Sequence, residues 1–338
     1  MQQTKRSFIL AALLVLAMSL VPEHAPAQQK ASLSMGSFHT GTSTYIYAGM
    51  LAGYVRREVP GITITNEATG GSSENLDLIR RGQLELGCAS PERIYAAYHG
   101  IDRYKDKQTP VTIMWSWARQ PVSMFVRKDS PIQSFQDLKG KKVILGPAGS
   151  AGEIKNSHVL EAYGYTRKEK GKYDFVELET VKLSYPEAAN ALAEGVVDAV
   201  VVTQSIPEPS FAELAVRIPL RVIPVSPDML PQIRKTYPLF WPLKIPADTY
   251  RGQETDLQSV GDDTYVIAHQ TNLSEEVAYK LTKTYVEKLL PRMAEQMDFL
   301  KLYVKDPGAL VEYTVVPVHP GALKYYRERG ITPHLITK

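Results

Sequence analysis

GSFHTGTSTYIYAG, Gly36 to Gly49, joins a strand end, a hydroxyl-rich turn and a helix start. Apolar and polar residues alternate from Ala31 to Ser37, the period of a half-buried strand, and Tyr45, Met50, Tyr54 and Val55 then take up helical spacing. Between them lie His39, Thr40, Gly41, Thr42, Ser43 and Thr44. A helix N-terminus presents unpaired N–H groups and a positive dipole end. The turn therefore either caps its own helix through Thr42 or Ser43, or holds a carboxylate or phosphate without any Arg or Lys.

Outward from this turn, strand-like and helix-like segments alternate. Ala31–Ser37, a helix over Ser43–Val59, a strand near Thr63–Ala68, a helix over Ser72–Gln83 and a strand at Leu84–Ala89 make a βαβαβ series, which predicts a parallel sheet. A second series has a strand at Lys141–Gly146, a helix over Gly152–Tyr163, a strand at Tyr173–Glu179, a helix over Pro186–Glu194 and a strand at Val197–Thr203. Two such units predict two α/β lobes with a cleft at the carboxyl ends of their strands. Val111–Lys128, two extended segments broken at Arg119, Gln120 and Pro121, is the expected crossover. Leu257–Ala268 is the expected return strand, followed by helices over Ser274–Tyr303 and Pro320–Arg329 on the first lobe. The expected organisation is therefore residues 28–118 and 269–338 in lobe one and 119–268 in lobe two. The stretch YPLFWPLKIP, Tyr237–Pro246, is either a rigid connector or a cleft wall.

Ahead of the lobes, Lys5 and Arg6 precede an apolar run from Phe8 to Val21 and small residues at Ala25-Pro26-Ala27, the order of a cleavable signal peptide over residues 1–27. The run is shorter than the roughly 20 residues needed to span a bilayer. The expectation is an exported, periplasmic protein that is not membrane-spanning after processing. With a single cysteine, Cys88, no intrachain disulfide can form. The 39 Lys and Arg nearly balance the 36 Asp and Glu, so no clustered positive charge points to nucleic acid, and Arg167–Lys172 is expected to be a solvated turn. Seven histidines without metal-ligand spacing predict neither a metal nor another cofactor. Ser150 sits in a turn that only faintly resembles a nucleophile elbow, with no base supplied, so the chain is not expected to be an enzyme.

Three further turns repeat the opening motif: EATGGSSEN at Glu67–Asn75, GPAGSAGEIKN at Gly146–Asn156 and TQSIPEP at Thr203–Pro209. GSFHTGTSTYIYAGMLA, PGITITNEATGGSSENLDLIRRGQLELG, DLKGKKVILGPAGSAGE, ALAEGVVDAVVVT and VHPGALKYYRERG resemble, in order over nearly the whole mature chain, the solute receptors of the TAXI branch of the tripartite TRAP transporters. That resemblance implies a type II periplasmic-binding-protein fold, two lobes closing on a glutamate- or 2-oxoglutarate-like carboxylate, and delivery to TRAP-type permease subunits. Its carry-over covers Thr40, Gly41, Tyr45, Gly71, Ser72, Asn75, Gly149 and Ser150.

The chain departs from the family where a ligand is expected. The family's G-S-G-T-E is Gly149-Ser150-Ala151-Gly152-Glu153, its Q-S-D is Ser90-Pro91-Glu92, and Thr42 and Thr44 alter the first turn. The expected ligand set is Thr40, Thr42, Tyr45, Ser72, Asn75, Ser90, Ser150 and Gly152. Arg119 is either a compensating bidentate donor or a solvated hinge arginine, and His39 either faces the cleft or flanks the helix on the surface. The same fold also suits a sensor that presents its bound form to a signalling partner. A neighbouring permease gene or a neighbouring sensor-kinase gene would separate these uses.

Overall fold

The computed structural model describes residues 31–40, 42–148, 150–169 and 172–336. The expected signal peptide, Gly41 and Gly149 lie outside the described residues. Lobe one opens with β1 (Ala31–Gly36), α1 (Ser43–Glu58), β2 (Ile62–Glu67), α2 (Ser72–Arg80) and β3 (Leu86–Ala89). β1 and β3 are parallel, as expected. α2 stops at Arg80, short of the expected Gln83, and Gly82 follows with φ +69°. A helix that the sequence did not suggest, α3 (Pro91–His99), starts at the Ser90-Pro91-Glu92 departure, with Pro91 in its first turn, where a missing N–H costs nothing.

β4 (Val111–Arg127) is one unbroken strand, in place of the two segments expected. Its first part pairs antiparallel with β12 (Leu257–His269), and its second part pairs with β9 (Ala199–Thr203) and β10 (Leu220–Pro224). Pro121, opposite Gly261, falls at this change of partners, so its missing N–H does not interrupt a ladder. Lobe two adds β5 (Lys142–Ile144), α4 (Ala151–Ala162), a hairpin of β6 (Thr166–Glu169) and β7 (Lys172–Phe175), β8 (Glu179–Val181), α5 (Tyr185–Ala193), β9 (Ala199–Thr203), α6 (Pro209–Arg217), β10 (Leu220–Pro224) and β11 (Trp241–Ile245). The strand expected over Tyr173–Glu179 is thus two: β7 belongs to the separate hairpin and β8 to the main sheet. Of the expected turn at Arg167–Lys172, residues 167–169 belong to β6 and Lys172 to β7. β11 pairs with the start of β12 (Leu257–His269), which gives the Tyr237–Pro246 stretch a strand in place of a connector.

The main sheet runs β2-β1-β3-β12-β4-β9-β5-β8. β4 and β12 are its two shared strands, giving the expected two-lobed α/β architecture joined by extended segments. The chain then returns to the first half of β4. α7 (Glu275–Thr284) passes into a π-turn at Tyr285–Leu289 and short helical pieces, since Pro291 cannot continue a regular ladder; α8 (Pro320–Glu328) closes the fold. Trp115 of β4 stacks on Tyr285 at 4.3 Å between centroids and donates its indole N–H to Tyr47 Oη at 2.8 Å. Tyr47 in turn donates to Tyr285 Oη at 3.0 Å, and Tyr326 of α8 donates to the Met114 carbonyl. These buried phenols and the indole keep their polar ends paired while burying large apolar rings.

Candidate functional site

An asparagine ties the strand ends of each lobe. In α2, Asn75 Nδ2 lies 2.8–3.0 Å from the carbonyls of Gly36, Ser37 and Cys88, and its Oδ1 accepts from Thr69 Oγ1 at 2.7 Å. In α4, Asn156 Nδ2 donates to the carbonyls of Leu145 and Val201, each at 2.9 Å, and its Oδ1 accepts from Thr203 Oγ1 at 2.6 Å. Both side chains are fully buried and spent on backbone and threonine. Residue 36 must be glycine because any Cβ there would collide with the Asn75 amide. Asn75 therefore fixes the turns beneath the cavity and does not line it, a correction to its expected place in the ligand set.

Above these clamps is a cavity of about 210 Å³. Lobe one contributes Phe38, the Thr42–Thr44 turn, Ser72 and Ser90. Lobe two contributes Ala151, Gly152, Lys155 and the Thr203–Ser205 turn, while the crossing strands supply Trp117, Gln120 and Thr264. Of the expected residues, Thr42, Ser72, Ser90 and Gly152 are brought together here. Thr40 and His39 are exposed and do not line it. Tyr45 is half-buried outside the lining, its carbonyl accepting from Asn66 Nδ2. Ser150 caps α4, its hydroxyl accepting from the Glu153 N–H at 3.1 Å.

The hydroxyls differ in what they have left to give. Thr42 lies in the wall, but its hydroxyl donates to the His39 carbonyl at 2.8 Å and accepts from the Tyr45 N–H, so it acts as the helix cap. Ser90 Oγ donates to Glu92 Oε1 at 2.6 Å. Ser72 Oγ accepts from the Ser90 N–H at 3.1 Å and, since the Ser90 hydrogen goes to Glu92, donates to Ser90 Oγ at 3.3 Å, a long bond that a solute could replace. At Gly152, a Cβ would meet Tyr185 Oη at 2.5 Å. The phenol from α5 occupies the space that a side chain at 152 would need.

The crossing strands carry one buried carboxylate on each face. Asp262 meets Lys155 Nζ at 2.7 and 2.8 Å, and Gln120 Oε1 takes the third ammonium hydrogen at 3.0 Å. Burial pushes the Asp262 carboxyl up to about 6 against the opposing pull of Lys155. On the other face Asp263 lies 3.7 Å from Arg119, which also pairs with Glu312 and lies near the Tyr313 ring. Burial raises Asp263 to about 7, with Arg119 pulling the other way. Arg119 is thus committed to carboxylates and absent from the cavity lining, and with a side chain only 13% exposed it is not a solvated arginine. Lys155 is the residue that sequence reasoning missed; two adjacent aspartates in the otherwise apolar VGDDTYVIAH were the signal that buried cations must exist nearby. Among the described residues, no group of three or more His, Cys, Asp or Glu could hold a metal ion, and no helix is long and apolar enough to cross a membrane.

The model of the NMT1-like family matches residues 35–330. Among solved structures, the periplasmic aliphatic sulphonate-binding protein SsuA from Escherichia coli is 16% identical, with 88% of this chain and 84% of that one covered and a TM-score of 0.48. XAC2383 from Xanthomonas citri bound to chloride ion is 13% identical, with 88% and 95% covered and a TM-score of 0.47.

Two outcomes follow from this geometry. Asn75→Ala and Asn156→Ala each leave buried carbonyls without a donor, costing about 1–3 kcal/mol; calorimetry should show a lower Tm for each, and an unchanged Tm would contradict the clamp. Asp263 binds its proton more tightly folded than in an unfolded chain, where its pKa is about 3.9. Its protonation therefore stabilises fully below that value, and this contribution is lost as pH rises through about 7. Asp263→Asn holds the neutral form throughout, so its Tm should gain on that of the parent between about pH 5 and 8. A constant or shrinking difference would contradict the buried-carboxyl account.

Proposed function

This chain belongs to the NMT1-like family, and on that premise we propose that it is an extracytoplasmic solute-binding protein that captures a small organic anion and delivers it to a membrane permease. One observation carries the proposal: hydroxyls and the N-terminal ends of four helices, α1 to α4, converge from both lobes on a single cavity. Unpaired N–H groups and positive dipole ends favour an anion there. Lys155 is the one charged side chain among the described lining residues, and Asp262 balances it. The solute is therefore held by dipoles and hydroxyls. The cavity, of about 210 Å³, is on the scale of a small metabolite.

The lining is made of hydroxyls, amides and helix ends, the groups by which a small solute is held and oriented. A glutamate- or 2-oxoglutarate-like carboxylate and a TRAP-type permease are the ligand and partner proposed, on the motif resemblance, with residues 1–27 as the export signal. Lobe one receives the anion at Ser72 and the Ser43–Thr44 turn. Lobe two then covers it with the Ala151–Gly152 turn and Ser205, and β4 and β12 bend as the hinge.

A thermal-shift panel of 2-oxoglutarate, glutamate, alkanesulfonates and phosphate, with neutral and cationic controls, tests this. A small anion at about 100 times its Kd should stabilise the protein by about 2.7 kcal/mol. Stabilisation only by neutral or cationic solutes would overturn the anion site.

A further inference from the structure

A chain of three side chains runs from lobe one to the crossing strand behind the cavity. Tyr237 Oη lies 3.1 Å from Glu92 Oε2 and 3.2 Å from Asp262 Oδ2. A phenol has one hydrogen to donate. With both carboxylates ionised it can serve only one of them, and the other would face a phenol lone pair at hydrogen-bonding distance. One added proton removes the conflict: a carboxylic acid donates to the phenol oxygen while the phenol donates to the other carboxylate.

The remaining oxygens of the cluster are already supplied. Lys155 Nζ serves both Asp262 oxygens, and Ser90 Oγ serves Glu92 Oε1. The surrounding charges come from several elements. Lys155 approaches from α4. Asp263, Arg119 and Glu312 lie on the far face of the crossing strands. The His158 ring packs 5.2 Å from Tyr237 between centroids, with Glu161 Oε2 3.5 Å from its Nδ1. Counted over Glu92, Asp262 and Lys155, the cluster carries one net negative charge when both carboxyls are ionised and none when one is protonated. Ser90 and Lys155 also line the cavity, so this charge sits directly behind the place where the solute anion lies.

We propose that Glu92 and Asp262 share one carboxyl proton across Tyr237, and that the cavity takes up its anion together with this proton. The second half rests on anion capture by the cavity; the first half does not. An incoming anion meets like charge if the cluster is ionised and a neutral cluster if it is protonated, so occupancy favours proton uptake, and a rising pH weakens binding. The elevated Asp262 carboxyl lies in the direction that this sharing requires.

Two measurements on the mature chain decide the matter. In the ligand-free protein, carbon-13 NMR of labelled Asp and Glu carboxyls should show one titration at about pH 6 or above that is altered in both Glu92→Gln and Asp262→Asn, well removed from the ordinary carboxylate range near 4. Ordinary titration of both groups would overturn the shared proton. Calorimetric binding of 2-oxoglutarate and ethanesulfonate, both fully ionised above about pH 6.5, should then weaken by up to tenfold per pH unit toward about pH 8.5. In Glu92→Gln, whose amide reproduces the neutral acid, that slope should flatten. A parent affinity that does not change with pH would overturn the coupling. If neither probe binds, anion capture fails by itself and the carboxyl titration still decides the proton.

Discussion

Two strands belong to both lobes, and this constraint governs the rest of the molecule. β4 and β12 lie antiparallel across the middle of the sheet, and the middle of each changes neighbours from one lobe to the other. The carboxylates at that crossing, Asp262 and Asp263, are cut off from water and must find partners inside the protein. Lys155 and Arg119 supply the counter-charges, one on each face. A buried carboxylate without such a partner is costly enough to give up its charge, and the raised values of Asp262 and Asp263 show how incompletely the partners offset burial.

Each lobe then solves the same smaller problem in the same way. A strand must end at a turn that borders the cavity, and that turn must hold its shape. Asn75 does this in lobe one and Asn156 in lobe two, each joined by a threonine that fixes the orientation of its amide. Because those amides take the strand-end carbonyls, holding the turn and lining the cavity fall to different residues.

That division explains what the sequence could and could not reveal. Alternation and helical spacing located β1, α1, β9 and the return strand to within a few residues, since each buries one face or two in the ordinary way. In sequence, Pro121 divides Val111–Lys128 because a proline opposes a central strand unless a change of partner is foreseen. Asn75 suits a ligand donor by type and position; only its three backbone acceptors in space assign it to the framework. Thr42 met the same limit, since a capping hydroxyl and a binding hydroxyl occupy the same position in sequence. Lys155 lies in a helix buried nearly all round, so no polar face marked it, and its partner is over a hundred residues away.

The claim at the centre of this account is that a small anion sits between the two lobes, on the hydroxyls and helix ends of both. A crystal structure of the mature protein with the anion that stabilises it most tests this directly. The account predicts density for that anion within hydrogen-bonding distance of Ser72 on lobe one and of the Gly152 or Ser205 turn on lobe two, with Lys155 still beside Asp262. Density confined to another surface, with these turns unoccupied at saturating anion, would contradict it.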